Sequence, residues 1–153
     1  MNACFADSAA SSIPVVPLTK SRLPGWLAGQ DASTSAWVGS TGFKAEPGAV
    51  ALLPGEDGRL GRVLLGVPDD ADLWAFAGLP FGLPRGTYRF EGLDGADAAT
   101  HAALGWALGS YRFDRYRTSE RRPAQLVPPD DCDRKAVERA ADATFLVRDL
   151  VNT

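Results

Sequence analysis

Runs of apolar residues along the chain alternate with polar clusters in two different rhythms. The clearest block is AVALLPGEDGRLGRVLLGV, Ala49 to Val67. Two apolar runs flank the turn-forming cluster GEDG, which predicts a β-hairpin. Both runs are apolar on consecutive positions, so the expectation is a sheet covered on both faces. SIPVVPL (Ser12 to Leu18) is a short β-branched run interrupted by Pro14 and Pro17. Proline cannot donate to a ladder, which predicts an edge or ragged strand. SRLPGWLAGQ and DASTSAWVG follow as short helices, the second with Asp31 or Ser33 as cap and Gly39 as stop. DDADLWAFAG carries acidic residues where a helix starts and Gly78 at its end. GTYRFEGL alternates as a strand should, and AQLVPP reads as another short strand. Between them lies DGADAATHAALGWALGSYRFDRYR, the longest helical stretch. A final helix is expected over 131–153, its start favoured by Asp130, Asp131 and Asp133. Strands interleaved with helices predict an α/β fold, a mixed sheet flanked by helices on both faces.

Two helices show more apolar surface than one core needs. With about 100 degrees between successive residues, Ala98, Ala102, Gly105 and Gly109 form one stripe over Ala96–Tyr116. An interior glycine costs a helix about 1 kcal/mol against alanine. The expected compensation is close approach of the helix to the sheet, with Trp106 and Phe113 along one flank. Leu104, Leu108 and Tyr111 lie on the other side, so this helix is expected to be sandwiched. On the last helix Val137, Ala140, Ala141, Thr144, Val147 and Val151 share a face expected to meet the core. Lys135, Glu138, Arg139, Asp142 and Asp149 share the other, with Leu146 among them and Phe145 at the boundary. Leu and Phe together on the polar side mark surface for another domain to cover. The stretch ATFLVRDLVNT (Ala143 to Thr153) contains neither a capping Gly nor a Pro to stop its helix.

Composition narrows the function classes. The 153 residues are 45% hydrophobic and 23% charged, with a formal net charge of −3. A chain of this size buries a core without needing a disulfide or metal. Its mild acidity gives no reason to expect nucleic acid or an anionic membrane as partner. Cys4 and Cys132 form no spaced pair and read as reduced thiols of a cytoplasmic protein. No Lys or Arg precedes Lys20, so the basic opening of a secretory signal is missing. No apolar run approaches the roughly 20 residues of a membrane span.

Candidate chemistry is thin. His101 has neither an HExxH context nor Cys neighbours, and no GxSxG elbow occurs. GSTGFK (Gly39 to Lys44) lacks the Gly-Lys-Ser/Thr ending of a phosphate loop, and GLPFGLPRG (Gly78 to Gly86) does not fit a dinucleotide fingerprint. One local charge anomaly stands out. Arg112, Arg115, Arg117, Arg121 and Arg122 are relieved only by Asp114 and Glu120, with Tyr111 and Tyr116 interleaved. Such a cluster fits either an ion-pairing or solvated surface or a nucleic-acid contact, the acidic whole favouring the former.

ALGWALGSYRFDRYR (Ala103 to Arg117), followed after an interval by ATFLVRDLVNT, resembles the cytosolic leucyl aminopeptidase family. The resemblance is to the end of its non-catalytic N-terminal domain and the helix leading into the catalytic domain. In that family a Pro-Ala-Asn follows the position of Val151-Asn152-Thr153. The resemblance implies a macro-like α/β domain over 13–153, preceded by a poorly ordered 1–12, with 131–153 leading toward a catalytic domain. That catalytic domain holds two divalent metals, zinc or manganese, which activate a water and stabilise the oxyanion together. The parent enzymes release N-terminal residues, often Leu, from peptides and assemble as hexamers. The family's ligands are carboxylates and a lysine of the catalytic domain, so no catalytic, cofactor-binding or metal residue is assigned to this chain. The implied role here is scaffolding and assembly. The competing expectation is a free-standing macro-like module for an ADP-ribose-type ligand or nucleic acid.

Overall fold

The GEDG cluster does close a hairpin. In the computed structural model, which describes residues 4–6, 11–69, 73–111 and 123–151, Gly55 N donates to Arg59 O at 2.6 Å and Gly58 takes a positive φ of 79°. Asp57 Oδ1 accepts from Arg59 N at 3.0 Å and pins the turn. Glycine at that φ costs nothing sterically. The turn joins β2 (Val50–Pro54) to β3 (Leu60–Gly66) in antiparallel register, Val50 opposite Leu65 and Leu52 opposite Val63. β1 (Ile13–Leu18) runs parallel to β3, with Val15 opposite Val63. β4 (Thr87–Phe90) and β5 (Gln125–Leu126) pair in parallel, and the five strands form a mixed sheet in the order β2-β3-β1-β4-β5.

Two strand expectations need correction. β1 is interior despite Pro14 and Pro17, with Val15, Val16, Pro17 and Leu18 all buried. Its carbonyls maintain the pairing: Val15 O accepts from Glu91 N at 3.0 Å and Leu18 O from Val67 N at 2.9 Å. The prolines remove donors while leaving these acceptors in place. β2, read as covered on both faces, instead alternates, with Val50 and Leu52 exposed and Ala51 and Leu53 buried. It is the terminal strand of the sheet, and its outward Leu52 carbonyl is bonded by Trp37 Nε1 at 3.0 Å.

The chain divides into two compact units. Ile13–Ala71 with Phe90–Leu93 make one. There α1 (Leu23–Ala28) and α2 (Ala32–Thr41) supply Leu23 and Val38 to a core with Val16, Leu18, Ala51, Leu53 and Leu64. Asp31 caps α2 by accepting from Thr34 N at 2.8 Å, as its position predicts. The stop is Gly42 rather than Gly39: the helix continues to Thr41, and Gly42 takes the left-handed φ of 74° that ends it.

Met1–Ser12, Asp72–Arg89 and Asp94–Thr153 make the other unit. It contains a 3-10 turn over Leu73–Phe76, α3 (Leu79–Gly82), α4 (Gly95–Gly109) and α5 (Arg134–Val151). Trp106 is fully buried, its indole donating to Ala124 O at 3.1 Å with Tyr88 beside it at 6.0 Å between ring centroids. Ala99, Ala102, Ala103, Trp106 and Ala107 form one buried face of α4, and Gly105 and Leu108 carry burial around its C-terminal half, while Asp97 and His101 are exposed. The sandwich expected from its pattern holds for that half alone. The glycine stripe has a different neighbour from the one expected. A Cβ on Gly105 would collide with the Leu73 carbonyl, and one on Gly109 with the Ala77 carbonyl, so the close approach is to the 3-10 segment. Within 1–12, Cys4 and Phe5 are buried, Phe5 bridges Leu126, and Ala6 N donates to Leu126 O at 2.9 Å.

Candidate docking surface

α5 begins as its sequence dictates. Asp133 accepts from Ala136 N at 3.0 Å as the helix cap, and Asp133 N in turn donates to Thr100 Oγ1 of α4 at 3.1 Å. Arg134 and Glu138 pair one turn apart at 3.2 Å. Val137 and Ala141 then bury against the unit. Beyond Ala141 the pattern changes. Val147 and Val151, expected to continue the core face, are 58% and 77% exposed, and Ala140 is exposed as well. The core that receives Val137 and Ala141 does not extend to the last three turns, so the predicted face is only half used.

Leu146 and Leu150 are also exposed, by 61% and 67%. At 100 degrees per residue, Leu146, Leu150, Val147 and Val151 fall within one arc of about 140 degrees. Exposed Ala140, Ala143 and Arg139 extend the same arc toward the middle of the helix. Phe145, Arg148 and Asp149 occupy the opposite arc and turn toward Tyr111, just past the end of α4. The Tyr111 and Phe145 rings lie 5.3 Å apart, and the Arg148 guanidinium lies 5.2 Å from the Tyr111 ring. Tyr111 OH donates to Asp149 Oδ1 at 2.8 Å. Arg148 and Asp149 are therefore drawn to the Tyr111 side of the helix, Asp149 itself remaining exposed, and four large apolar side chains face solvent on the other. This inverts the usual amphipathic arrangement. The sequence pointed to the site through Leu146 and Phe145, but only Leu146 is openly exposed.

The remaining candidates do not assemble a reaction centre. His101 is exposed on α4. Gly39 to Lys44 contains the C-terminal end of α2, the pole of a helix that repels a phosphate. Gly78 to Gly86 holds the short α3. Burial pushes the Cys4 thiol up to about 11 and raises that of Cys132, the opposite of a reactive thiolate. A hollow lined by Ser33, Thr34, Trp37, Leu53 and Pro54 offers about 150 Å³, below the roughly 300–1,000 Å³ of small-molecule sites. Among the described residues no group of three or more His, Cys, Asp or Glu is gathered as metal ligands, so no metal-assisted step is derived on this chain. No helix among them is long and apolar enough to cross a membrane. The arginine cluster from Arg112 to Arg122, with Tyr116 and Phe113, lies outside the described residues.

A family model described as the M17 aminopeptidase N-terminal domain matches residues 13–129. The chain belongs to that family. This M17 N-terminal domain is similar to a cytosol aminopeptidase from Coxiella burnetii at 37% identity and a TM-score of 0.89, over 98% of this chain and 33% of that one. It is similar to the bottromycin maturation enzyme BotP at 29% identity and a TM-score of 0.64, over 94% of this chain and 33% of that one. BotP has also been solved in complex with Mn. A tomato leucine aminopeptidase mutant shares the fold at 19% identity and a TM-score of 0.62, over 97% of this chain and 37% of that one. The M17 N-terminal domain thus spans about a third of the length of the solved proteins it matches. Comparison with curated proteins gave no match.

Proposed function

We propose that this non-catalytic N-terminal domain serves as a docking and assembly scaffold for a metal-dependent leucyl-type aminopeptidase. Residues 13–153 act in this reading as one α/β domain with α5 leading toward the catalytic domain. The observation that carries it is the outward apolar arc Leu146, Val147, Leu150 and Val151. Burying four such side chains contributes on the order of 5 kcal/mol, at roughly 1–2 kcal/mol each. A free-standing domain would leave that stabilisation unused and expose an aggregation-prone surface. The implied parent acts on peptides through two zinc or manganese ions held elsewhere, works in the cytoplasm and assembles as a homo-hexamer. The Mn complex of BotP and the cytosol aminopeptidase likeness support that direction. The matches lend no support to a free-standing ADP-ribose-type module.

The test is assay of the purified chain with added manganese or zinc on a leucine anilide. No turnover is expected. Metal-dependent turnover by these residues alone would overturn the proposed division of labour.

A further inference from the structure

We infer that Tyr111 is the positioning residue that fixes which arc of α5 faces outward. This rests on the reading of that arc as a docking face. The last side chain of α5 buried in the core is Ala141, and the helix continues for ten residues to Val151. A free helical end of that length frays in water. Three contacts from one side chain hold it instead. The Tyr111 ring packs on Phe145 at 5.3 Å, the Arg148 guanidinium sits 5.2 Å from the same ring, and the hydroxyl donates to Asp149 Oδ1 at 2.8 Å. These partners span more than one full turn of the helix. They therefore fix its rotation as well as its position, and Leu146, Val147, Leu150 and Val151 must point the other way.

Tyr111 itself is anchored by α4. Its amide donates to Leu108 O at 3.2 Å, and the preceding residue, Ser110, bonds Trp106 O through both its amide and its hydroxyl. Trp106 is the largest fully buried side chain of the chain's described residues. The rigid end of α4 is thereby coupled through one aromatic residue to the surface that a partner meets. Arg148 and Asp149 act in the same clamp: their charges are drawn to Tyr111 and kept off the apolar arc.

Residue-resolved amide exchange on the chain tests this. Tyr111→Ala should speed exchange of residues 145–151 by about tenfold, the loss of a ring pair, a cation–π contact and a hydrogen bond. Amides of Val137–Ala141 and of β3 should keep their rates, which a merely destabilised fold would not allow. Tyr111→Phe and Asp149→Asn should each speed exchange at 145–151 by about threefold, and together by less than the product of the two, because both weaken the same hydrogen bond. These two milder variants carry the test if Tyr111→Ala does not fold. Unchanged exchange at 145–151 overturns the proposal, as does an equal rise over Val137–Ala141. Exchange is read without any partner, so its failure is distinguishable from failure of the docking surface.

Discussion

Gly105 in α4 and Gly39 in α2 are both helical glycines in very different surroundings, and alanine at each separates packing from propensity. A Cβ at Gly39 meets nothing within 4 Å, so Gly39→Ala should stabilise the chain by up to about 1 kcal/mol, the propensity difference. At Gly105 the same methyl would collide with the Leu73 carbonyl and lie 3.1 Å from Phe76 Cβ. The obstacle is backbone, which cannot rotate aside. Overpacking of this kind costs roughly 1–3 kcal/mol or more, and the propensity gain offsets about 1 of it. A net loss of about 2 kcal/mol would lower Tm by about 6 °C in a domain of this size. Thermal melts and urea midpoints of the two variants provide the assay. If Gly105→Ala melts at or above the unsubstituted chain while Gly39→Ala is also stabilised, α4 does not lie against Leu73, and the packing described for that helix is wrong.

Leu146→Glu with Leu150→Glu should reduce binding of a hydrophobic dye and any self-association, with Tm changed only slightly, because both side chains are already in solvent; a large fall in Tm would place them in a core. Asp133→Ala removes the acceptor for Ala136 N and should cost about 1 kcal/mol in urea unfolding, whereas no change would mean the cap is not formed. Cys4, held at about 11 by burial against an ordinary 9.0, should resist alkylation at pH 8 until urea is added. Its raised value means that the unfolded thiol ionises first, so its contribution to stability is full below pH 9 and is lost as pH rises toward 11; a Cys4→Ala variant should lose that part of the alkaline decline.

Local chemistry was the legible part of the fold. The GEDG turn and the Asp31 cap depend on residues close in sequence and form as written, whereas the small-residue stripe of α4 makes its close approach to the 3-10 segment and not to the sheet. Positions in the sheet were not legible in the same way. Pro14 and Pro17 argue for an edge, yet neither forbids a central strand whose carbonyls do the bonding, and only the tertiary arrangement selects between these. β2 has the apolar composition of a covered strand but ends the sheet, leaving Val50 and Leu52 outside. On α5 Val137 and Ala141 are buried as the helical period predicts, but Val147 and Val151, grouped with them, face outward. A period reports direction around the helix and is silent on how far along it the core extends, so the exposure of the last two could not be read from it.

Trp37 has a consequence beyond its own hydrogen bond. Its indole closes the Leu52 carbonyl on the outer margin of β2, and Pro54 at the end of that strand has no N–H to offer. A stray strand arriving there finds an acceptor occupied and a donor missing. The outer margin of the hairpin is thus blunted against templated stacking of chain on chain at these two positions.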